Sequence, residues 1–232
     1  MTATIPPPAA APASKTGNKR ILVVDDHPMM RTGLAHLINK QPGMEVCGEA
    51  GSPAEAMEKI SRRRPDLIIA DISMKEGSGL EFIKDVRAIH GDLRILAVSM
   101  HDEKVYAERV LRAGASGYIM KEESGEYLIL AIQRVLAGGI YLSETMSARI
   151  LKSVTSPDSR DNESPLRRLT DREFEIFQLI GGGKNTEEIA AKIHISPRTV
   201  DVHRANIKEK LNLKTGAALI HYAVQWVGLE DR

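Results

Sequence analysis

Pro65-Asp66-Leu67-Ile68-Ile69-Ala70-Asp71 is an apolar run closed by a carboxylate. Leu67, Ile68 and Ile69 put apolar groups on both faces of a pleat, the pattern of a strand buried on both sides of a parallel sheet. Pro65 lacks the N–H that a strand interior needs, so the strand begins after it. Asp71 falls where the run gives way to a loop containing Gly77-Ser78-Gly79. In open parallel sheets, ligands bind at the carboxyl ends of strands. A lone loop aspartate is ordinarily a cap or a turn residue. The company Asp71 keeps decides which reading holds.

Outward from this strand the pattern repeats. Ile21-Leu22-Val23-Val24 is a buried strand ending at Asp25-Asp26-His27-Pro28, and Pro28 suits a first helical turn. Met44 to Glu49 reads as a second strand, and Ser52 with Glu55 as a capping box for the next helix. After the strand ending at Asp71 come a helix over Leu80–Ile89 and a strand over Leu93–Val98 ending at Ser99. A helix over Lys104–Arg112 is closed by Gly114, and the strand Gly117-Tyr118-Ile119-Met120 ends at Lys121. A helix from Ser124 to Leu136 stops at Gly138-Gly139. Five strands alternating with five helices predict an α/β domain with a doubly wound, five-stranded parallel sheet whose strand order reverses once. No Gly-x-Gly-x-x-Gly follows the first strand, which removes the main support for a dinucleotide site.

Composition narrows the setting. The 232 residues are 42% hydrophobic and 27% charged, an ordinary profile for one or two folded domains. The single cysteine, Cys47, excludes an internal disulfide and a multi-cysteine zinc site. No apolar run reaches the roughly 18 residues of a membrane span, and no signal-peptide plan is seen, so a cytoplasmic protein is expected. Residues 1–19, rich in Pro and Ala, are expected to be a disordered tail. The net charge of +1 names no partner, but residues 165–232 hold 11 basic against 9 acidic side chains, which permits nucleic-acid binding.

Asp25, Asp26, Asp71, Ser99 and Lys121 all fall just past strand ends that converge on one edge of such a sheet. Each alone is an unremarkable cap, hydroxyl or solvated charge; five together are not. Three carboxylates in one place call for a cation, and an oxygen-only set suits Mg²⁺. The metal and Lys121 would neutralise phosphoryl oxygens while Ser99 donates a hydrogen bond. Asp71 is then the nucleophile that accepts the phosphoryl group.

With Asp25-Asp26, Asp71, Ser99 and Tyr118-x-x-Lys121 in these places, residues 20–140 resemble the receiver domain of two-component response regulators, a flavodoxin-like fold. The resemblance implies phosphoryl transfer to Asp71 from a sensor histidine kinase. It implies Mg²⁺ held by Asp26, Asp71 and the backbone carbonyl of Ser73, with Asp25 acting through water. It also implies a switch in which Ser99 and the Tyr118 rotamer pass phosphorylation to the fourth helix and fifth strand. Ser73 and His101 occupy the positions that flank the hydrolytic water, and neither is a carboxylate or amide, so a lifetime of minutes or longer is expected. Lys75 and Glu122 stand where the family usually has proline.

Residues 143–164 read as a polar linker, with Ile150, Leu151 and Val154 able to extend a short helix into it. Residues 165–232 read as a small all-α domain. Thr170-x-x-Glu173 and Asn185-x-x-Glu188 are capping boxes, and Ser196-Pro197 starts a helix over Arg198–Leu211. Two short helices, a tight turn and a basic helix make a helix-turn-helix. The motifs Leu169-Thr170-x-Arg172-Glu173, Glu188-Ile189-Ala190 and Ile195-Ser196-x-x-Thr199-Val200-x-x-His203 resemble the LuxR-type DNA-binding domain. Both domains in this order resemble the NarL/FixJ family. Val200, His203 and Ile207 share an inward face. The DNA-facing residues are then Arg198, Thr199, Asp201, Val202, Arg204, Ala205, Lys208 and Lys210, with Asp201 and Val202 at base edges. The expected protein is a phosphorylation-activated transcription regulator that binds double-stranded DNA as a homodimer, inhibited or monomeric before phosphorylation. The only catalysis expected is its own phosphorylation and dephosphorylation. A Mg²⁺-dependent phosphatase would want an acid two residues after Asp71, where Ser73 stands. A receiver serving only for dimerisation is the other alternative.

Overall fold

The computed structural model describes residues 17–74, 78–123, 125–155 and 165–230. The Pro- and Ala-rich residues 1–16, Lys75, Ser124 and the linker stretch 156–164 lie outside the described residues. The first half runs β1 (Lys19–Val24), α1 (Pro28–Asn39), β2 (Met44–Ala50), α2 (Pro53–Arg62), β3 (Leu67–Asp71), α3 (Gly79–Ile89), β4 (Arg94–Ser99), α4 (Glu103–Ala113), β5 (Gly117–Met120) and α5 (Gly125–Leu136). The sheet is parallel throughout, in the order β2-β1-β3-β4-β5, with the single expected reversal.

Every residue of β3 is buried, which its uninterrupted apolar run demands. Ile68 and Ala70 face a cluster with Ala56, Ile60, Ile83 and Val110 of α2, α3 and α4. Leu67 and Ile69 face Ile38, Leu128 and Ile132 of α1 and α5. The two-residue strand period therefore feeds two separate cores, each large apolar side chain contributing about 1.5–3 kcal/mol. Helix ends follow local chemistry. Ser52 accepts the Glu55 N–H, but Glu55 reaches back to the Gly51 N–H at 2.7 Å rather than to Ser52, so the expected capping box is only half formed. Gly114 ends α4 with φ +108°, a conformation that suits glycine.

The expected linker holds a full helix, α6 (Glu144–Thr155). Ser143 starts it, accepting the Met146 N–H while its own N–H donates to Glu103 of α4. Met146 is buried. Met146 and Ile150 give the segment an apolar side, and α4 supplies surface against which it packs. A 3-10 turn (Pro165–Arg168) leads into α7 (Asp171–Gly181), α8 (Thr186–Lys192), α9 (Pro197–Lys210) and α10 (Gly216–Glu230). The capping boxes at Thr170 and Asn185 are both closed. Gly181 belongs to α7, where a Cβ would stand 2.6 Å from the Ala223 carbonyl, so glycine lets α7 and α10 touch.

Candidate functional site

β1, β3, β4 and β5 are neighbours, and their carboxyl ends bring Asp25, Asp71, Ser99 and Lys121 together. Asp25 and Asp71 are each 1% exposed. The Lys121 ammonium lies 2.6 Å from Asp25 Oδ2 and 2.7 Å from Asp71 Oδ2. Burial pushes the Lys121 pKa down, but its hydrogen bonds to Asp25 and Asp71, with their charges, outweigh this and raise it. Asp71 Oδ1 accepts the Ser73 N–H at 2.8 Å. The Ser73 and Ser99 hydroxyls are 3.3 Å apart. Tyr118 is fully buried, and its hydroxyl donates to the His101 carbonyl at 2.7 Å.

His27 was not singled out from the sequence, yet it borders the pocket. Its N–H donates to Asp25 Oδ1 at 2.8 Å, and its Nδ1 lies 2.7 Å from Asp26 Oδ1. Its adjacency to the aspartate pair was the available signal. Asp25, Asp26, His27 and Asp71 each offer a ligand atom within 4.8 Å of the others. Lys121 balances one of three carboxylate charges, and a divalent cation would balance the remaining two. The three carboxylates, without the His27 nitrogen, are the hard oxygen donors that suit Mg²⁺.

In the C-terminal half, Ser196 accepts the Thr199 N–H at the start of α9. Val200 and Ile207 are fully buried, anchoring one side of the helix. Arg198, Thr199, Asp201, Val202 and Ala205 are exposed, and Lys208 is half-buried. Arg204 donates to the Thr186 hydroxyl at 3.2 Å. Lys210, expected among the DNA-facing residues, is engaged within its own domain. Its ammonium lies 2.6 Å from the buried Glu173 carboxylate, so it serves the fold of this half.

The two halves meet at α4, which the sequence did not foretell. Arg109 is only 9% exposed. It donates to the Leu169 and Leu166 carbonyls and to Asp171, and its guanidinium lies 4.2 Å from the Phe174 ring centroid. Lys84 pairs with Asp171 at 2.7 Å, and Arg167 with Glu108. This docking leaves the outward residues of α9 uncovered.

A parallel sheet with an acidic pocket at its carboxyl edge, joined to a helix-turn-helix, defines the class of response regulators with a DNA-binding output domain. The family model for the response regulator receiver domain matches residues 21–133, and that for bacterial regulatory proteins of the luxR family matches residues 167–223. The oxygen regulatory protein NreC of Staphylococcus carnosus is 37% identical over 210 residues, covering 89% of this chain and 97% of that protein. A LuxR-family two-component response regulator from Aurantimonas sp. is 33% identical with a TM-score of 0.56, covering 60% of this chain and all of the other. RcsB from Salmonella enterica serovar Typhimurium, bound to the promoter rprA with the phosphomimetic BeF₃⁻, shares the fold. Its TM-score is 0.67 at 23% identity, over 90% of this chain and 99% of that one. The chain belongs to the NarL/FixJ family of response regulators, and it is a phosphorylation-dependent, DNA-binding transcription regulator.

Proposed function

We propose that Asp71 takes the phosphoryl group from a phosphohistidine of a sensor kinase. The Asp71 oxygen forms the new bond to phosphorus as the histidine P–N bond breaks. The observation that carries this reading is the buried Lys121 ammonium held at 2.6–2.7 Å by Asp25 and Asp71. That ammonium can turn to a phosphoryl oxygen when Asp71 carries the phosphoryl group as an acyl phosphate. Ser99 donates to a second oxygen, and Tyr118 follows its movement. Asp26, Asp71 and the Ser73 carbonyl would hold Mg²⁺, with Asp25 assisting beside them. Bound there, Mg²⁺ supplies the positive charge that lets an anionic carboxylate approach an anionic phosphoryl group. The catalysis is confined to the chain's own phosphorylation and dephosphorylation.

Residues 20–142 form the receiver, 143–164 a connector that includes α6, and 165–232 the DNA-binding domain, after a tail at 1–19. Phosphorylation drives homodimerisation, and two copies place α9 in successive major grooves of double-stranded DNA. Arg198, Thr199, Asp201, Val202 and Ala205 face the bases, while Arg204 and Lys208 contact phosphates. No described helix is long and apolar enough to cross a membrane, and a protein that reads DNA in answer to a kinase belongs in the cytoplasm. Selection of bound DNA from a random pool, with and without acetyl phosphate and Mg²⁺, tests the reading. Enrichment of one two-fold symmetric site only after phosphorylation is expected. Equal enrichment for Asp71→Asn would refute phosphorylation-dependent control through this residue.

A further inference from the structure

One residue links the acidic pocket to the DNA-binding domain. The His101 N–H donates to Ser99 Oγ at 3.1 Å, and its carbonyl accepts the Tyr118 hydroxyl at 2.7 Å. Its ring stacks on Tyr106 of α4, with centroids 4.6 Å apart and planes 12° from parallel. Tyr106 is buried, and its hydroxyl accepts a hydrogen bond from the Gln178 amide of α7. The Tyr106 ring meets Phe174 of α7 edge-on at 5.3 Å, and Phe174 meets Trp226 of α10 at 5.4 Å. His101 is therefore tied by its backbone to the switch groups and by its ring to a platform that the other domain supports. Between the domains lies a cavity of about 350 Å³ whose lining includes Ser73, His101, Tyr106, Phe174 and Gln178. Ser73 is bonded to Asp71, so this cavity brings solvent to the edge of the acidic pocket, with α7 as one wall.

We propose that the docked DNA-binding domain sets the lifetime of the phosphoryl group on Asp71 by holding the His101 ring against Tyr106. His101 is thus a positioning residue for hydrolysis. The inference rests on Asp71 being the phosphoacceptor. In hydrolysis a water oxygen bonds to phosphorus as the bond to the Asp71 oxygen breaks. Free carboxylate and inorganic phosphate result, and the water's proton passes to phosphate or solvent. Held on Tyr106, the imidazole is parked on the cavity wall. Released, it gains the rotamers that let it order a water beside Ser73. A stacked aromatic pair biases such an equilibrium by roughly two- to ten-fold, which sets the size of the effect. The latch is Arg109, whose donors hold the Leu166 and Leu169 carbonyls. The same chain of rings ends at Trp226, the sole tryptophan, so the protein carries its own reporter of docking.

The test uses the full chain, labelled with acetyl phosphate and Mg²⁺, with loss of phosphoprotein followed after the donor is removed. Tyr106→Leu keeps apolar bulk but removes the platform. Arg109→Gln removes the latch, with opening read by solution scattering and Trp226 emission. Both are expected to shorten the lifetime about two- to ten-fold, and neither is expected to shorten it further when His101→Ala is already present. Lifetimes equal to the parent's in both variants would overturn the inference, as would the same acceleration in the His101→Ala background. A parent chain that takes no label, or label that persists on Asp71→Asn, would instead overturn the assignment of Asp71 and this inference with it.

Discussion

Asp71 and Glu173 are both buried carboxylates facing an ammonium, and they do opposite things with it. Asp71 shares Lys121 with Asp25 at a strand end, where a loop leaves room for a ligand. Asp71→Asn is isosteric, and Lys121 keeps Asp25 as a partner, so the variant should keep the fold, read by circular dichroism, while labelling by acetyl phosphate disappears. Asp26→Asn should label weakly, with partial rescue by excess Mg²⁺. Glu173 closes the capping box of α7 and holds Lys210. Burial pushes its carboxyl up, but Lys210 and the Thr170 hydrogen bonds outweigh that and hold it below the usual range. Such a group stabilises the fold fully above its unfolded pKa of about 4.3, and the contribution is lost as pH falls through the lower folded value. The melting temperature should therefore fall less steeply below pH 5 in Glu173→Gln than in the parent. At neutral pH the same variant should be less stable by about 1.5–3 kcal/mol, the worth of hydrogen bonds to a charged group.

Among the elements, α9 shows how an exposed face divides into reading and anchoring. Val200 and Ile207 fix the helix on its domain, while Asp201 and Val202 stand outward, Val202 with 54% of its surface exposed. An aspartate at a base edge accepts from the amino group of cytosine and repels phosphate. Asp201→Ala should relax preference at one base pair of each half-site by about 1–3 kcal/mol. Lys208→Ala should weaken binding to all sequences alike and flatten its salt dependence. A titration in which Asp201→Ala tightened every site equally would mark Asp201 as a charge near the backbone that reads no base. α6 is the element whose existence depends most on its neighbour. Its start is pinned to Glu103 and its Met146 is buried. Met146→Ala should cost about 2–5 kcal/mol by denaturant unfolding.

At the scale of the whole molecule, the apolar core is continuous from the face of the sheet through Tyr106 to Phe174 and Phe177 of the output domain. Burial lowers the pKa of Arg109, with Asp171 opposing, the cost of sealing a guanidinium between domains. Arg109→Ala should open the molecule, raising its radius of gyration and exposing the connector to protease. Because docking leaves α9 uncovered, its affinity for an isolated half-site should shift by less than about tenfold, or 1.4 kcal/mol. A much larger gain would mean that docking masks the reading face after all.

The chain alone was enough for the parallel sheet, the single reversal in its strand order and the convergence of Asp25, Asp71, Ser99 and Lys121. Each rests on short-range facts: apolar runs, their period, and the strand-end positions that a right-handed parallel topology brings to one edge. The capping boxes at Thr170 and Asn185, and the outward face of α9, were legible for the same reason. Tertiary packing decided what local pattern cannot carry. Lys210 looks like one more exposed cation until Glu173 is found buried beside it. Helix α6 looks like linker until α4 supplies its surface. Tyr106 and Arg109 are ordinary residues of an amphipathic helix whose partners lie about sixty residues and more away along the chain. Periodicity tells which side of a helix is buried, but only the folded chain says what it is buried against.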